Sequence, residues 1–308
     1  SKWCKEHYDW SFPEEELCFT PGIIPALYQL TETLCNKDEK VLMNTPAYGY
    51  FLHSAEYAGV DVLHSPLKKK PDGTFELDYE NFEQQCANPQ CKMVFWCNPQ
   101  NPTGRMWTEE ELRRMMELCL KHHVLVVSDE IHSDLIFHGK KHIPTATLSP
   151  EIAANVITGI SGTKTFNLAG LQASTTVFPC LEMKKKFDSY WGGMDIHRNN
   201  AFSLTAMEAA FNQGEEWLDQ LLPYLSANFD YVVDYCEKRI PKIKTYAPDA
   251  TYLMWLDCRE LNMTDQELKE FMIRKAGLGL NPGSDFTRAL SGFMRLNAAC
   301  PRATLEKA

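Results

Sequence analysis

No apolar run in the sequence approaches membrane-spanning length, so no helical membrane segment is expected. Positive charge is also in short supply: 31 Lys and Arg stand against 41 Asp and Glu, a formal net charge of −10. A nucleic-acid or anionic-membrane partner needs a basic face, so neither is expected. The eleven cysteines contain no C-x-x-C pair and no zinc-like spacing. Their odd number and scatter fit free thiols in a reducing cytoplasm, and no metal site is expected. Internal repeats and low-complexity segments are absent. Ser1-Lys2-Trp3-Cys4-Lys5-Glu6 places charges where a secretory signal needs an apolar segment. The 308 residues suffice for one large domain and a smaller one, with 44% apolar and 23% charged residues setting an ordinary globular balance.

Short apolar runs alternate with helical patterns. Val124-Leu125-Val126-Val127 is apolar throughout and rich in β-branched residues, the mark of a parallel strand buried on both faces. Lys40–Met43, Val60–Leu63, Met93–Cys97 and Asn155–Ile160 read similarly. Between them, Thr108 and Glu111 have capping-box spacing ahead of Leu112, Met115, Met116 and Leu118. The fold class is therefore α/β, a doubly wound and mainly parallel sheet. A long apolar stripe from Trp217 to Val233 leads to strands at Thr251–Asp257 and Phe293–Asn297. This pattern divides the chain into a large domain, 1–216, and a smaller α+β domain, 217–308.

Ligands in such sheets lie at the carboxyl ends of the strands. Three polar residues stand there. Lys164 follows Asn155–Ile160 in Ser161-Gly162-Thr163-Lys164; burial there favours a neutral, nucleophilic amine able to form a Schiff base. Taken alone, Ser-x-x-Lys equally describes an exposed loop lysine. Asp129 follows Val124–Val127, where a carboxylate is costly unless paired. Asn101 lies in Asn98-Pro99-Gln100-Asn101-Pro102-Thr103-Gly104, whose prolines hold an extended turn. Elsewhere, Pro21-Gly22-Ile23-Ile24 opens a helix whose free N–H groups suit a phosphate or serve simply as a helix start. Arg295, inside an apolar strand, needs a carboxylate, from a ligand or from the protein.

Together, the Asn98–Gly104 turn, Ser128-Asp-Glu-Ile-His132, Lys164-Thr-Phe-Asn-Leu-Ala-Gly170 and Arg295-Leu-Asn-Ala-Ala-Cys-Pro-Arg302 resemble the fold-type I pyridoxal-phosphate enzymes of the aminotransferase superfamily. The finer resemblance is to the MalY/PatB-type cystathionine β-lyases, and it covers nearly the whole chain. It implies pyridoxal 5′-phosphate as cofactor and an amino acid as substrate. Lys164 would carry the cofactor and act as general base. Asp129 would pair the ring nitrogen, Tyr48 would stack on the ring, and Asn101 with His132 would hold the phenolic oxygen. Gly22, Ile23, Ile24, Ser161 and Thr163 would hold the phosphate, and Arg295 the substrate α-carboxylate. Gln172 departs from the wider superfamily, in which many members have Arg or Lys at that place. Glu130, Asp134 and His142 receive no role, and His138 and His142 read as structural. The resemblance also implies a cytoplasmic homodimer, and an N-terminal segment and a final helix outside this sequence, so that the chain reads as a fragment. The implied reaction is C–S β-elimination from cystathionine or another cysteine S-conjugate. An aminotransferase and an inactive or regulatory relative are the alternatives.

Overall fold

In the computed structural model, which describes residues 1–196, 200–287 and 290–308, the apolar runs become strands. In chain order these are β1 (Leu17–Thr20), β2 (Lys40–Thr45), β3 (Asp61–Pro66), β4 (Lys68–Lys69), β5 (Phe75–Glu76), β6 (Cys91–Cys97) and β7 (Leu125–Asp129). There follow β8 (Val156–Ile160), β9 (Ser174–Val177), β10 (Leu253–Asp257), β11 (Asn281–Pro282) and β12 (Phe293–Asn297). The main sheet has the order β1-β9-β8-β7-β6-β2-β3. The five strands from β8 to the edge strand β3 are parallel, while β9 and β1 join antiparallel.

Neighbouring residues on the parallel strands point to opposite faces, and both faces are covered. Val41, Met43, Met93, Phe95 and Val127 pack against Leu27, Leu30, Phe51 and Phe187 of the helices Ile23–Leu34, Gly49–Tyr57 and Leu181–Gly193. Leu42, Val94, Trp96 and Val126 pack on the other face against Phe82, Leu112 and Met115 of the helices Tyr79–Cys86 and Glu109–Lys121. Thr108 and Glu111 do form the capping box that starts the second of these helices.

From β2 the chain moves outward to β3 and then returns to β6 on the opposite side of β2. Strand order reverses there, and the carboxyl ends of β2, β6, β7 and β8 open side by side. A smaller antiparallel sheet, β10-β12-β11, lies beyond the helix Glu215–Arg239. That helix buries Leu218, Leu225 and Phe229 against Met254. Trp3 of the helix Lys2–Tyr8 joins the same cluster, tying the start of the chain to its later half. All eleven cysteines are unpaired. Among the described residues no helix is long and apolar enough to cross a membrane, and no group of three metal-ligating side chains occurs.

Candidate active site

Asp129 is the last residue of β7, level with Cys97 on β6 and Gly159 on β8. The strand therefore runs further than the apolar run Val124–Val127, and its carboxylate leaves from the sheet itself. Only 4% of the residue is exposed, and one oxygen accepts from Ile131 N–H at 3.2 Å. Burial pushes its carboxyl up to about 7, against the smaller opposing effects of that hydrogen bond and of Lys164.

Lys164 lies in the single helical turn Gly162–Thr165 that follows β8. Burial lowers its pKa; Asp129 pulls the other way and Arg295 adds to the lowering. Among the described residues it has neither a hydrogen bond nor an ion pair. His132 is buried, and desolvation, with Lys164 and Arg295 nearby, pushes it down to about 3, so its imidazole is neutral. Its Nδ1 has no partner among the described residues, and Tyr252 stands edge-on to its ring at 5.6 Å.

Asn101 and Arg295 meet across 194 residues of sequence: Arg295 Nη1 donates to Asn101 Oδ1 at 3.0 Å. Its Nη2 donates to Oδ1 of Asn281 on β11 at 2.9 Å. With its oxygen engaged, Asn101 keeps its amide N–H groups for another acceptor. No carboxylate among the described residues lies within ion-pair distance of Arg295. Its guanidinium sits 4.6 Å from the Phe286 ring centroid and 5.9 Å from that of Tyr48. Tyr48 itself is half-buried at the start of the Gly49–Tyr57 helix.

Gly22 precedes the helix Ile23–Leu34 with φ 141°, a backbone angle that favours glycine. Among the described residues the N–H groups of Gly22, Ile23 and Ile24 have no acceptor, as at any uncapped helix start. Gly159 lets this helix end lie against β8, because a Cβ there would collide with Ile23 Cδ1. Ser161 and Thr163 are buried, but their hydroxyl protons are already engaged. Ser161 donates to Ala173 O at 2.7 Å and accepts from Thr163 N–H, with the Thr163 hydroxyl 2.7 Å away. Each hydroxyl would have to turn before it could donate to a phosphate. Gln172 is exposed with φ 51° and shares a cleft with Phe19, Pro21 and Gly170.

Several site neighbours carried no signal in the sequence. Tyr252 and Asn281 join the site only through tertiary contacts. Glu130 and His142 form a pair at 2.8 Å with side chains 1% exposed. Glu130 also accepts from Ser128 and from Thr145 N–H, which ties the segment after β7 to the sheet behind Asp129.

The family model for aminotransferase class I and II matches residues 1–308. The chain belongs to this family. Among curated class I and II relatives, cystathionine beta-lyase PatB of Bacillus subtilis is 39% identical over 99% of this chain and 78% of its own length. Protein MalY of Escherichia coli is 35% identical over 98% of this chain and 76% of its own. The solved structure of the PLP-bound C-S lyase from Staphylococcus hominis superposes with a TM-score of 0.94. It is 33% identical and aligns with 99% of this chain and 78% of its own. The fold is thus that of the fold-type I pyridoxal-phosphate enzymes.

The unmet polar groups fit that cofactor. A buried carboxyl with one hydrogen bond matches a protonated ring nitrogen, and an unpartnered amine matches an aldehyde. The amide of Asn101 and the neutral imidazole of His132 match a phenolic oxygen, and the Gly22–Ile24 N–H groups match a phosphate.

Proposed function

We propose that this chain is a pyridoxal-phosphate-dependent C–S β-lyase that cleaves L-cystathionine or another cysteine S-conjugate to a thiol, pyruvate and ammonia. The observation that carries the reading is the convergence of Lys164, Asp129 and the Asn101–Arg295 pair at the carboxyl ends of β6, β7 and β8. The likeness to PatB and to the Staphylococcus hominis C-S lyase supports the lyase over the aminotransferase.

When bound, the cofactor supplies an electron-poor ring that stabilises negative charge at the substrate Cα. Residues 1–216 are taken as the domain that holds it, and 217–308 as the smaller domain bearing Arg295. Arg295 has its planar fork half-satisfied by neutral asparagine oxygens, and a substrate α-carboxylate would supply the charge it lacks. Lys164 takes the Cα proton, and burial favours the neutral amine that this requires. Asp129 stays ionised once a cation stands beside it, although burial favours its neutral form. Asn101 and His132 donate toward the phenolic oxygen, Tyr48 covers the ring face, and Gly22, Ile23 and Ile24 bind the phosphate. Ser161 and Thr163 join them after turning their hydroxyls. The chain is further proposed to pair with a second copy of itself. A cleft of about 400 Å³ lined by Leu17, Phe19, Ile160, Leu204, Met207 and Phe211 supplies apolar surface for such pairing.

The deciding experiment supplies L-cystathionine to the cofactor-loaded chain without any keto acid. Pyruvate and free thiol in equal amounts are the expected products. A reaction that waits for added keto acid would instead assign an aminotransferase. Full cofactor uptake without turnover would point to an inactive relative.

A further inference from the structure

One carboxylate outside the proposed chemistry joins three elements beside the lysine. Asp134 lies two residues beyond His132 and is half-buried. Its Oδ1 accepts from Trp3 Nε1 at 2.9 Å and from the Tyr8 hydroxyl, and its Oδ2 accepts from the Thr165 hydroxyl at 2.6 Å. No cation among the described residues lies within ion-pair distance of it. Trp3 and Tyr8 belong to the helix Lys2–Tyr8, whereas Thr165 directly follows Lys164.

Two further contacts grip the same turn. The Trp3 ring stands edge-on to Phe166 at 5.8 Å, so the helix meets Phe166 directly and is linked to Thr165 through Asp134. A Cβ on Gly162 would come 2.8 Å from Met207 and 3.0 Å from Phe211 of the helix Ala201–Gln213, and the Phe211 ring also meets Trp3 at 5.5 Å. The turn is thus both packed against by this helix and hydrogen-bonded to Asp134. A carboxylate accepting from three neutral donors forms stronger bonds than a neutral acceptor in its place would.

We infer that Asp134 is a positioning residue which, with the helix Lys2–Tyr8, holds the Gly162–Thr165 turn and so sets where the Lys164 amine sits. The inference rests on the proposed role of Lys164. It acts through geometry: the charges that face the amine are those of Asp129 and Arg295, with His132 neutral beside them.

The test uses the full chain carrying Trp3→Phe, Thr165→Val, Asp134→Ala or Asp134→Asn. Thr165→Val exchanges only the hydroxyl for a methyl, whereas Trp3→Phe removes the indole N–H together with part of a buried ring. Two readouts are taken. The first, without cofactor, is the pH profile of Lys164 methylation by formaldehyde and cyanoborohydride, read by peptide mass spectrometry. The second is the affinity for pyridoxal 5′-phosphate. Trp3→Phe, Thr165→Val and Asp134→Ala should each move the Lys164 labelling midpoint upward, toward the ordinary lysine value of about 10.4. Each should also weaken cofactor binding roughly tenfold, the scale of one hydrogen bond to a charged group. Adding Thr165→Val to Asp134→Ala should change little more, since both cut one linkage. Asp134→Asn should restore most of the effect, because its amide oxygen accepts from Trp3 and its N–H donates to a turned Thr165 hydroxyl.

Lower melting temperatures with a wild-type labelling profile would overturn the inference and leave Asp134 a tether for the first helix. Should Asp134→Ala fail to fold, Trp3→Phe and Thr165→Val decide by themselves. If the wild-type chain takes up no cofactor, the proposed function fails, and the labelling profile alone still decides the role of Asp134.

Discussion

Asp129 concentrates the electrostatic cost of the site in one carboxyl. Its value of about 7 in the folded chain lies above an ordinary 3.8 because burial penalises the anion. Between those values the folded state keeps a proton that the unfolded state has lost. The associated stability is present in full below pH 4 and is lost as pH rises through 7. Asp129→Asn has no proton to lose, so the cofactor-free variant should gain on wild type as pH rises from 4 to 8. The gain is at most on the order of 4 kcal/mol. Parallel denaturation profiles across that range would mean that Asp129 is better solvated than its burial implies. At this scale the sequence was informative wherever a polar residue ended an apolar run. Lys164, Asp129 and Asn101 were legible for that reason. The Arg295–Asn101 bond was not, because nothing local specifies a contact 194 residues apart. Nor does the sequence reveal that Ser161 spends its proton on Ala173 O.

At the level of elements, the approach of the Ile23–Leu34 helix to β8 decides whether its free N–H groups reach the site. Gly159 allows it. In Gly159→Ala the new methyl would strike Ile23 Cδ1, so that the first side chain of the helix must turn away or draw the helix end back from the strand. Over-packing of this kind costs about 1–3 kcal/mol, which urea denaturation would register. Affinity for pyridoxal 5′-phosphate should fall more than affinity for pyridoxal, because the displaced N–H groups face only the phosphate. Equal losses for both ligands would separate this helix end from phosphate binding. The elements themselves were largely legible: apolar runs gave the parallel strands, and the Thr108–Glu111 box caps its helix. The strand order was harder to read, because the return from β3 across β2 to β6 depends on packing of both sheet faces rather than on any local run.

For the molecule as a whole, apolar side chains remain on the surface near the start of the Ala201–Gln213 helix. Phe202 is 77% exposed and Phe19 53%. If a second copy covers this surface, sedimentation should give twice the 35.3 kDa chain mass. Phe202→Glu should then shift the equilibrium toward single chains, because a charge would be buried without a partner. A wild-type chain that sediments as a monomer at every concentration would remove the proposed pairing. The net charge of −10 agrees with a small-molecule enzyme, but the composition does not identify its cofactor. That conclusion depends on four side chains brought together from three strand ends and the smaller sheet.

The most direct test of the account asks where the cofactor attaches. The chain is loaded with pyridoxal 5′-phosphate, its visible absorbance is recorded, and the complex is reduced with borohydride, digested and mapped by mass spectrometry. Loss of the visible band and a phosphopyridoxyl group on Lys164 are the expected results. A group on any other lysine, or a Lys164 peptide left unmodified after full cofactor uptake, would contradict the proposed role of Lys164.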